Sequence, residues 1–313
     1  MAYDNLISRT DASAVITENV DEAFMQQATD ESAALQLMRR VPVNKGSIRF
    51  PVISALPTAA FVGPTDSGLK QTTEVNWANK YLQIEEIATI VPIPDSVRDD
   101  MDFDVWGAVK PLVVEAIGRT LDGAVFFGIN KPTSWPTAIV PAAIAAGNTV
   151  SEGTATQAKG GLAEDINQVL AKMEADGYDA TGFLANRTLK GALRGLRDTS
   201  GQKLLDVTAN QIEGINVVYA MRGLWPTGVG TAKLIAVDRT EFVLGIRQDV
   251  TVTFSNQAVV QDGTGAVQFN AFQQDLTMMR VVFRVGWQVA NTINYDQPTE
   301  ASQYPASILA AAS

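Results

Sequence analysis

The fragment Asp66-Ser67-Gly68 has the form of a catalytic carboxylate turn, a chemistry that needs a second such turn facing the first so that two carboxylates share one proton. No second copy exists. The nearest fragment, Asp262-Gly263-Thr264, breaks the pattern, so both read as ordinary turns. Gly228-Val229-Gly230 and Gly263-Thr264-Gly265 suggest phosphate cradles, but neither continues to a third glycine or to a Gly-Lys-Ser/Thr run. Asp99, Asp100, Asp102 and Asp104 lack the glycine and distal glutamate of a calcium loop and suit instead the positive end of a helix dipole. Arg187, Lys190, Arg194 and Arg197 form a basic stripe at helical spacing, read as a solvated face with a subunit contact as its second use. Asn186-Arg187-Thr188 would accept a glycan only in a secreted chain.

The sequence contains no histidine and no cysteine. Ser-His-Asp and Cys-His arrangements, histidine general bases, H-E-x-x-H zinc sites, thiolate centres and disulfides are therefore closed to it. No catalytic residue, cofactor or metal site is expected. Lys plus Arg number 24 against 34 Asp plus Glu, a net charge of −10, which disfavours a sequence-independent nucleic-acid binder.

The 313 residues suit two moderate domains or one elaborated one, and 46% hydrophobic with 19% charged residues is an ordinary globular composition. Met1 to Arg9 has no basic start followed by an apolar stretch, and the apolar segments fall short of the ~20 residues a bilayer crossing needs. A soluble, unsecreted protein is expected.

The elements that must carry these side chains follow from periodicity. Residues 1 to about 40, with Val20, Ala23, Phe24, Leu35 and Met38 loosely spaced, read as an arm with one or two weak helices. At Ser47 the period becomes two, and Ile48, Phe50 and Val52 alternate with Ser47, Arg49 and Pro51. A second extended run covers Glu74 to Ile93, and Pro57 to Lys70 between them is rich in turn residues. The pair predicts a two-stranded ribbon with a reach of roughly 60 Å, whose faces something else must cover.

Pro94-Asp95-Ser96 then starts a helix, and Trp106, Val109, Leu112, Val113, Ile117, Leu121, Val125 and Phe126 keep helical spacing to a stop at Gly128, with Pro111 inside as an expected kink. Gly128 to Gly161 reads as loop. Ile166, Val169, Leu170 and Met173 mark a second helix, Phe183-Leu184-Ala185 a short strand, and Leu189, Leu193 and Leu196 a third helix from Asn186 to before Gly201. Asn216 to Ala220, Lys233 to Val237 and Phe242 to Ile246 are further extended runs. Val250, Val252 and Phe254 begin a final pair with Met279 to Val289, expected antiparallel across Asp262-Gly263-Thr264-Gly265, and a polar tail follows Asp296.

This order resembles the major capsid proteins of tailed bacteriophages, the Hong Kong 97-type fold. Arg49-Phe50-Pro51 looks like the entry to that family's extended loop, and Val91-Pro92-Ile93-Pro94-Asp95-Ser96-Val97 like the entry to its spine helix. Leu121-Asp122-Gly123-Ala124-Val125-Phe126-Phe127-Gly128 is similar to that helix's end. Leu193-Arg194-Gly195-Leu196-Arg197-Asp198 with Gly201 resembles the axial helix and tip loop. Gly214-Ile215-Asn216-Val217-Val218 and Arg280-Val281-Val282-Phe283-Arg284 resemble the later strands.

The resemblance implies an α+β fold divided into an N-terminal arm (1–46), an extended β-ribbon loop (47–93) and a spine helix of the peripheral domain (94–130). A loop-rich transition (131–161), an axial domain (162–247), peripheral β strands (248–296) and a C-terminal tail (297–313) follow. It implies self-assembly as hexamers and pentamers into an icosahedral capsid that encloses double-stranded DNA without sequence-specific contact. Arg49, Phe61, Lys70, Trp77, Lys80 and Tyr81 are the expected interface residues of the loop, and Arg194, Arg197 and Asp198 those of the axial domain. The expected partners are further copies of the chain, a separate scaffolding protein, since the arm leaves no room for a fused one, a portal, and a decoration protein on shells that carry one. No membrane is involved; the place is the virion capsid, assembled in the host cytoplasm.

Relatives that weld their shells use a loop lysine, a peripheral asparagine and a nearby glutamate. Alignment puts Asp275 and Val282 at the last two positions, so that chemistry is not expected here. The competing readings are an encapsulin-type shell around a cargo enzyme and a soluble carboxylate-dependent enzyme.

Overall fold

The computed structural model describes residues 31–59, 61, 70, 72–100, 105–156, 159–196, 210–226 and 231–312. In chain order the elements are α1 (Ala33–Leu37), β1 (Arg39–Pro42), β2 (Ser47–Ala55), β3 (Asn76–Gln83), β4 (Glu85–Pro94), α2 (Asp95–Asp99) and α3 (Val105–Asp122). Gly123–Phe127 continues α3 as one π-helical turn and Gly128 ends it in the left-handed region, at φ 75°. Then come α4 (Ile139–Ala145), β5 (Thr149–Ser151), α5 (Leu162–Ala175), β6 (Gly182–Ala185), α6 (Leu189–Gly195), β7 (Gln211–Ile212) and β8 (Ile215–Tyr219). The chain finishes with β9 (Ala232–Val237), β10 (Phe242–Ser255), β11 (Val259–Gln261), β12 (Val267–Asn270), β13 (Leu276–Val289) and β14 (Ala306–Ala310).

Two compact units result. One takes Glu86–Gly118 and Gln248–Arg284; the other takes Glu31–Glu85, Arg119–Arg247 and the chain from Val285 onward. In the first, the strand order is β10-β13-β4. The start of α2 is tied to the start of β13, because the Asp95 N–H donates to the Asp275 carbonyl at 2.9 Å and the Thr277 hydroxyl to the Asp95 carboxylate at 2.6 Å. Arg98 closes the corner on Asp95 at 3.1 Å. Trp106 meets Phe254 edge-on at 4.9 Å, and β11 with β12 forms a hairpin around Phe269, Leu276 and Met278.

The second unit is built on a six-stranded sheet of order β5-β14-β9-β6-β8-β7. Phe183 and Ala185 face a core made with Ile166, Val169 and Met173 of α5 and Leu189 and Leu193 of α6. Gly182 and Leu184 point the other way, where Leu37 of α1 comes so close that a Cβ on Gly182 would sit 2.8 Å from it. With both faces covered, the strands run apolar without alternation.

Several elements differ from the expectations. The supposed polar tail supplies β14, a fully buried inner strand that pairs antiparallel with β9 and parallel with β5. Its sequence, Ala-Ser-Ile-Leu-Ala, lacks alternation because both its faces are buried. The supposed loop 131–161 contains α4 and β5, and Pro141 fits α4 because it stands in the first turn, where no N–H is needed. The runs at 242–246 and 250–254 are one strand, β10. It neighbours β13 in the sheet, as expected, but the turn Asp262–Gly265 does not join the two, since it connects β11 to β12 between them. The second ribbon run divides at Ile84 into β3, which pairs with β2, and β4, which joins the other sheet. Residues from 31 onward, expected in the arm, belong to the folded unit; the arm's earlier part and Gly201 lie outside the described residues. The helix expected from Asn186 starts at Leu189, because the Asn186 side chain accepts from the Thr188 N–H at 3.0 Å and forms a turn there.

Candidate functional site

The ribbon is a separate two-stranded sheet, with Ser47 opposite Gln83, Arg49 opposite Tyr81, Pro51 opposite Asn79 and Ile53 opposite Trp77. Alternation gives it two unlike faces. Val52 and Leu82 lie buried on one, and the base of the ribbon is fixed there. Leu82 fits because Gly245 and Gly286 have no side chain: a Cβ would fall 2.8 Å from Leu82 at the first and 2.1 Å from the Gln83 carbonyl at the second. Backbone and side chains add the Ile84 N–H to Gly46 O at 2.9 Å, Gln288 to Tyr81 O at 2.8 Å and the Trp135 indole N–H to Gln83 O at 3.2 Å. Tyr295 donates to Pro57 O at 2.9 Å farther out.

Among the described residues nothing covers the other face. Trp77 is 67% exposed, Tyr81 51% and Ile53 41%, and Arg49 and Pro51 are exposed beside them. Phe61, toward the tip, is 102% exposed and Lys70 is exposed too. The structure thus brings Arg49, Trp77 and Tyr81 onto one stripe and adds Ile53, which sequence reading missed. The signal was the Val52-Ile53 doublet: in a strand two successive apolar residues cannot share a face.

Lys80 departs from its expected place. It lies on the inward face, and its ammonium donates to Ala290 O at 2.6 Å and Val289 O at 3.3 Å and pairs with Glu300 at 2.6 Å. Its charge serves its own chain. In the axial region Arg194 is exposed at the end of α6, while Arg187 donates to Ala220 O at 3.1 Å and Lys190 to the Asn210 amide oxygen at 3.0 Å. Arg197 and Asp198 lie outside the described residues, as do Asp66-Ser67-Gly68 and Gly228-Val229-Gly230.

The remaining chemical candidates have local uses. The Asp262 carboxylate accepts from the Thr264 N–H and hydroxyl and the Ala266 N–H at 2.7–2.9 Å, bonds that hold its pKa below the ordinary carboxylate value and close a turn. Asp99 pairs with Arg98 at 3.1 Å. Of the positions aligned with cross-linking residues, Asp275 is exposed at φ 50° and Val282 is 8% exposed. Among the described residues no three carboxylates gather as metal ligands.

A folded core complete in one chain, joined to a ribbon whose aromatic face is left outside, defines a subunit of a larger assembly. The chain belongs to the phage capsid family, whose model matches residues 12–293. A solved chain from Microbacterium phage Oxtober96 is 36% identical, covers 97% of this chain and 99% of its own length, and superposes with a TM-score of 0.82. One from Mycobacterium phage Bobi is 28% identical over 98% of this chain and 99% of its own, with a TM-score of 0.83. A search of curated proteins finds no match. The fold is therefore the Hong Kong 97-type capsid fold and the chain is a structural major capsid protein of the virion. The comparisons favour neither the encapsulin-type nor the enzyme reading.

Proposed function

We propose that copies of this chain close as hexamers and pentamers into an icosahedral shell, and that the outward ribbon face is the seam between neighbours. The carrying observation is the stripe of Ile53, Trp77 and Tyr81 beside Arg49, left in water by a chain that buries every residue of β6 and β14 in its main sheet. Aromatic groups beside a cation are what interfaces concentrate. Phe61 and Lys70 extend the seam toward the tip, Arg49 and Lys70 meeting acidic surfaces of a neighbour. Arg194, with Arg197 and Asp198, makes a second contact around the capsomer axis.

The role is structural, without catalysis. A scaffolding protein, a portal and a decoration protein are the accessory partners of assembly in the host cytoplasm, and packaged DNA is enclosed without sequence readout, in keeping with the net charge of −10. The shell is held without covalent cross-links, because isopeptide formation needs a carboxylate beside the lysine and a side-chain carbonyl, and Val282 offers none. Electron microscopy and sizing of the purified protein test the main reading. Closed particles are expected; a stable monomer near 33.5 kDa that forms no capsomer, with or without a scaffold, overturns it. Boiled denaturing gels test the last point: one monomer band is expected, and a ladder would reveal a cross-link.

A further inference from the structure

A fully buried carboxylate lies away from the ribbon. Asp122, the last residue of α3, is 0% exposed, and its carboxylate is filled by one short segment. The Ser32 hydroxyl donates to Oδ1 at 2.6 Å, the Ala33 N–H to Oδ2 at 2.8 Å and the Ala34 N–H to Oδ1 at 2.9 Å. Ser32 is the N-cap of α1 and also accepts from the Leu35 N–H at 3.4 Å. A side chain some ninety residues away in sequence thus takes up the free N–H groups at the start of α1.

Among the described residues no cation is paired with this carboxylate. α1 (Ala-Ala-Leu-Gln-Leu) carries no charge, nor does the turn Gly123–Phe127 that follows Asp122. The strands packed on α1, β6 and β8, bring only Tyr219 as a titratable group. The charged residues nearby act elsewhere: Arg40 and Arg239 hold the carbonyls of Leu35 and Gln36 at the far end of α1, and Glu31 accepts from Gln36. Arg119, one turn back on α3, has its guanidinium 3.7 Å from where a Cβ on Gly223 would stand.

We propose that Asp122 is a proton-linked anchor for the chain entering α1, closed most firmly in mild acid and loosened as the pH rises to neutral. The Ser32 hydroxyl suits both states, because it can donate to a carboxylate or accept from a carboxylic acid. Opening frees the segment at Ser32–Leu37 from the folded unit. The direction follows from burial, which raises the Asp122 pKa from 3.8 to about 6 against the smaller lowering by its three hydrogen bonds. An acid that binds its proton more tightly when closed favours closure at low pH and loses that advantage between the open-state and closed-state values. With those two values the opening constant rises about tenfold from pH 5 to pH 7.

Hydrogen exchange of the 31–38 peptide in the full-length protein, corrected for intrinsic rates and held in one assembly state checked by sizing, reads the opening directly. Wild type should lose about tenfold in protection from pH 5 to pH 7. Asp122→Asn, whose amide imitates the protonated acid by donating to Ser32, should be flat over that range. Ser32→Ala should lose protection at both values, since the hydroxyl serves both states. A flat wild-type profile overturns the proposal without reference to any variant, and so does an Asp122→Asn profile as steep as wild type.

Discussion

The ribbon and the six-stranded sheet are both made of extended chain, and they treat their side chains in opposite ways. β14 buries all five of its residues between two strands and two helix layers, although three of the five are no larger than alanine or serine. β3 leaves Trp77 and Tyr81 in water. A large aromatic is costly to expose, on the order of 2–3 kcal/mol, so the difference cannot reflect what each strand would prefer alone. The sheet is finished by its own chain, whereas on the proposed function the ribbon is finished by another copy. On that proposal folding information and assembly information sit in separate strands, and substitutions should divide in the same way.

The largest separation is expected on deleting Pro57 to Lys70. The subunit should keep its thermal midpoint, because the sheet and helices lie elsewhere, while closed particles disappear on electron micrographs. Normal particles from the deletion would break the comparison. Next, Gly286→Val should act in the opposite sense. Its side chain would occupy space 2.1 Å or less from the Gln83 carbonyl, so the ribbon base must move, costing about 3 kcal/mol or more of subunit stability in denaturant titration. Trp77→Ser should follow. Its effect on subunit stability should stay within about 0.5 kcal/mol, whereas each seam loses about 2 kcal/mol, read as a higher critical concentration for assembly. A Trp77→Ser subunit that unfolds early would place Trp77 in the chain's own core.

Legibility followed the same division. β13 and the ribbon were readable because one face of each differs in polarity from the other, which imprints period two on Met279 to Val289 and on Ser47 to Val52. β14 was unreadable because a strand covered on both faces carries no such imprint. α4 was hidden by Pro141 and the glycines around it, although proline in a first turn is compatible with a helix. Of the candidate site, the exposed aromatics were legible as residues too large to leave in a lone hairpin. The inward turn of Lys80 was not, since only the fold brings Glu300 and the 289–290 carbonyls to it. Asp122 was equally hidden, its partners lying about ninety residues upstream.

The smallest predicted effect tests the division inside a single strand pair. Lys80 and Arg49 are both cations of the ribbon, one residue on β3 and one on β2, and the pleat sends them to opposite faces. The Lys80 side chain is 15% exposed and its ammonium has three oxygen partners from its own chain. Glu300 at 55% exposed contributes little, because solvent screens it, so most of the effect resides in the two carbonyls. Lys80→Met keeps the aliphatic stem and removes the donors, and should cost about 1–2 kcal/mol of subunit stability, with shell closure unchanged once the protein is folded. Arg49→Ala should leave the thermal midpoint alone and instead weaken the salt dependence of assembly, since a charge on an interface rim acts through screened attraction to its partner. Measuring both quantities for both variants gives a cross-over if inward and outward faces carry separate information. Parallel losses, in which each variant lowers midpoint and assembly together, would show that the ribbon folds and assembles as one cooperative unit.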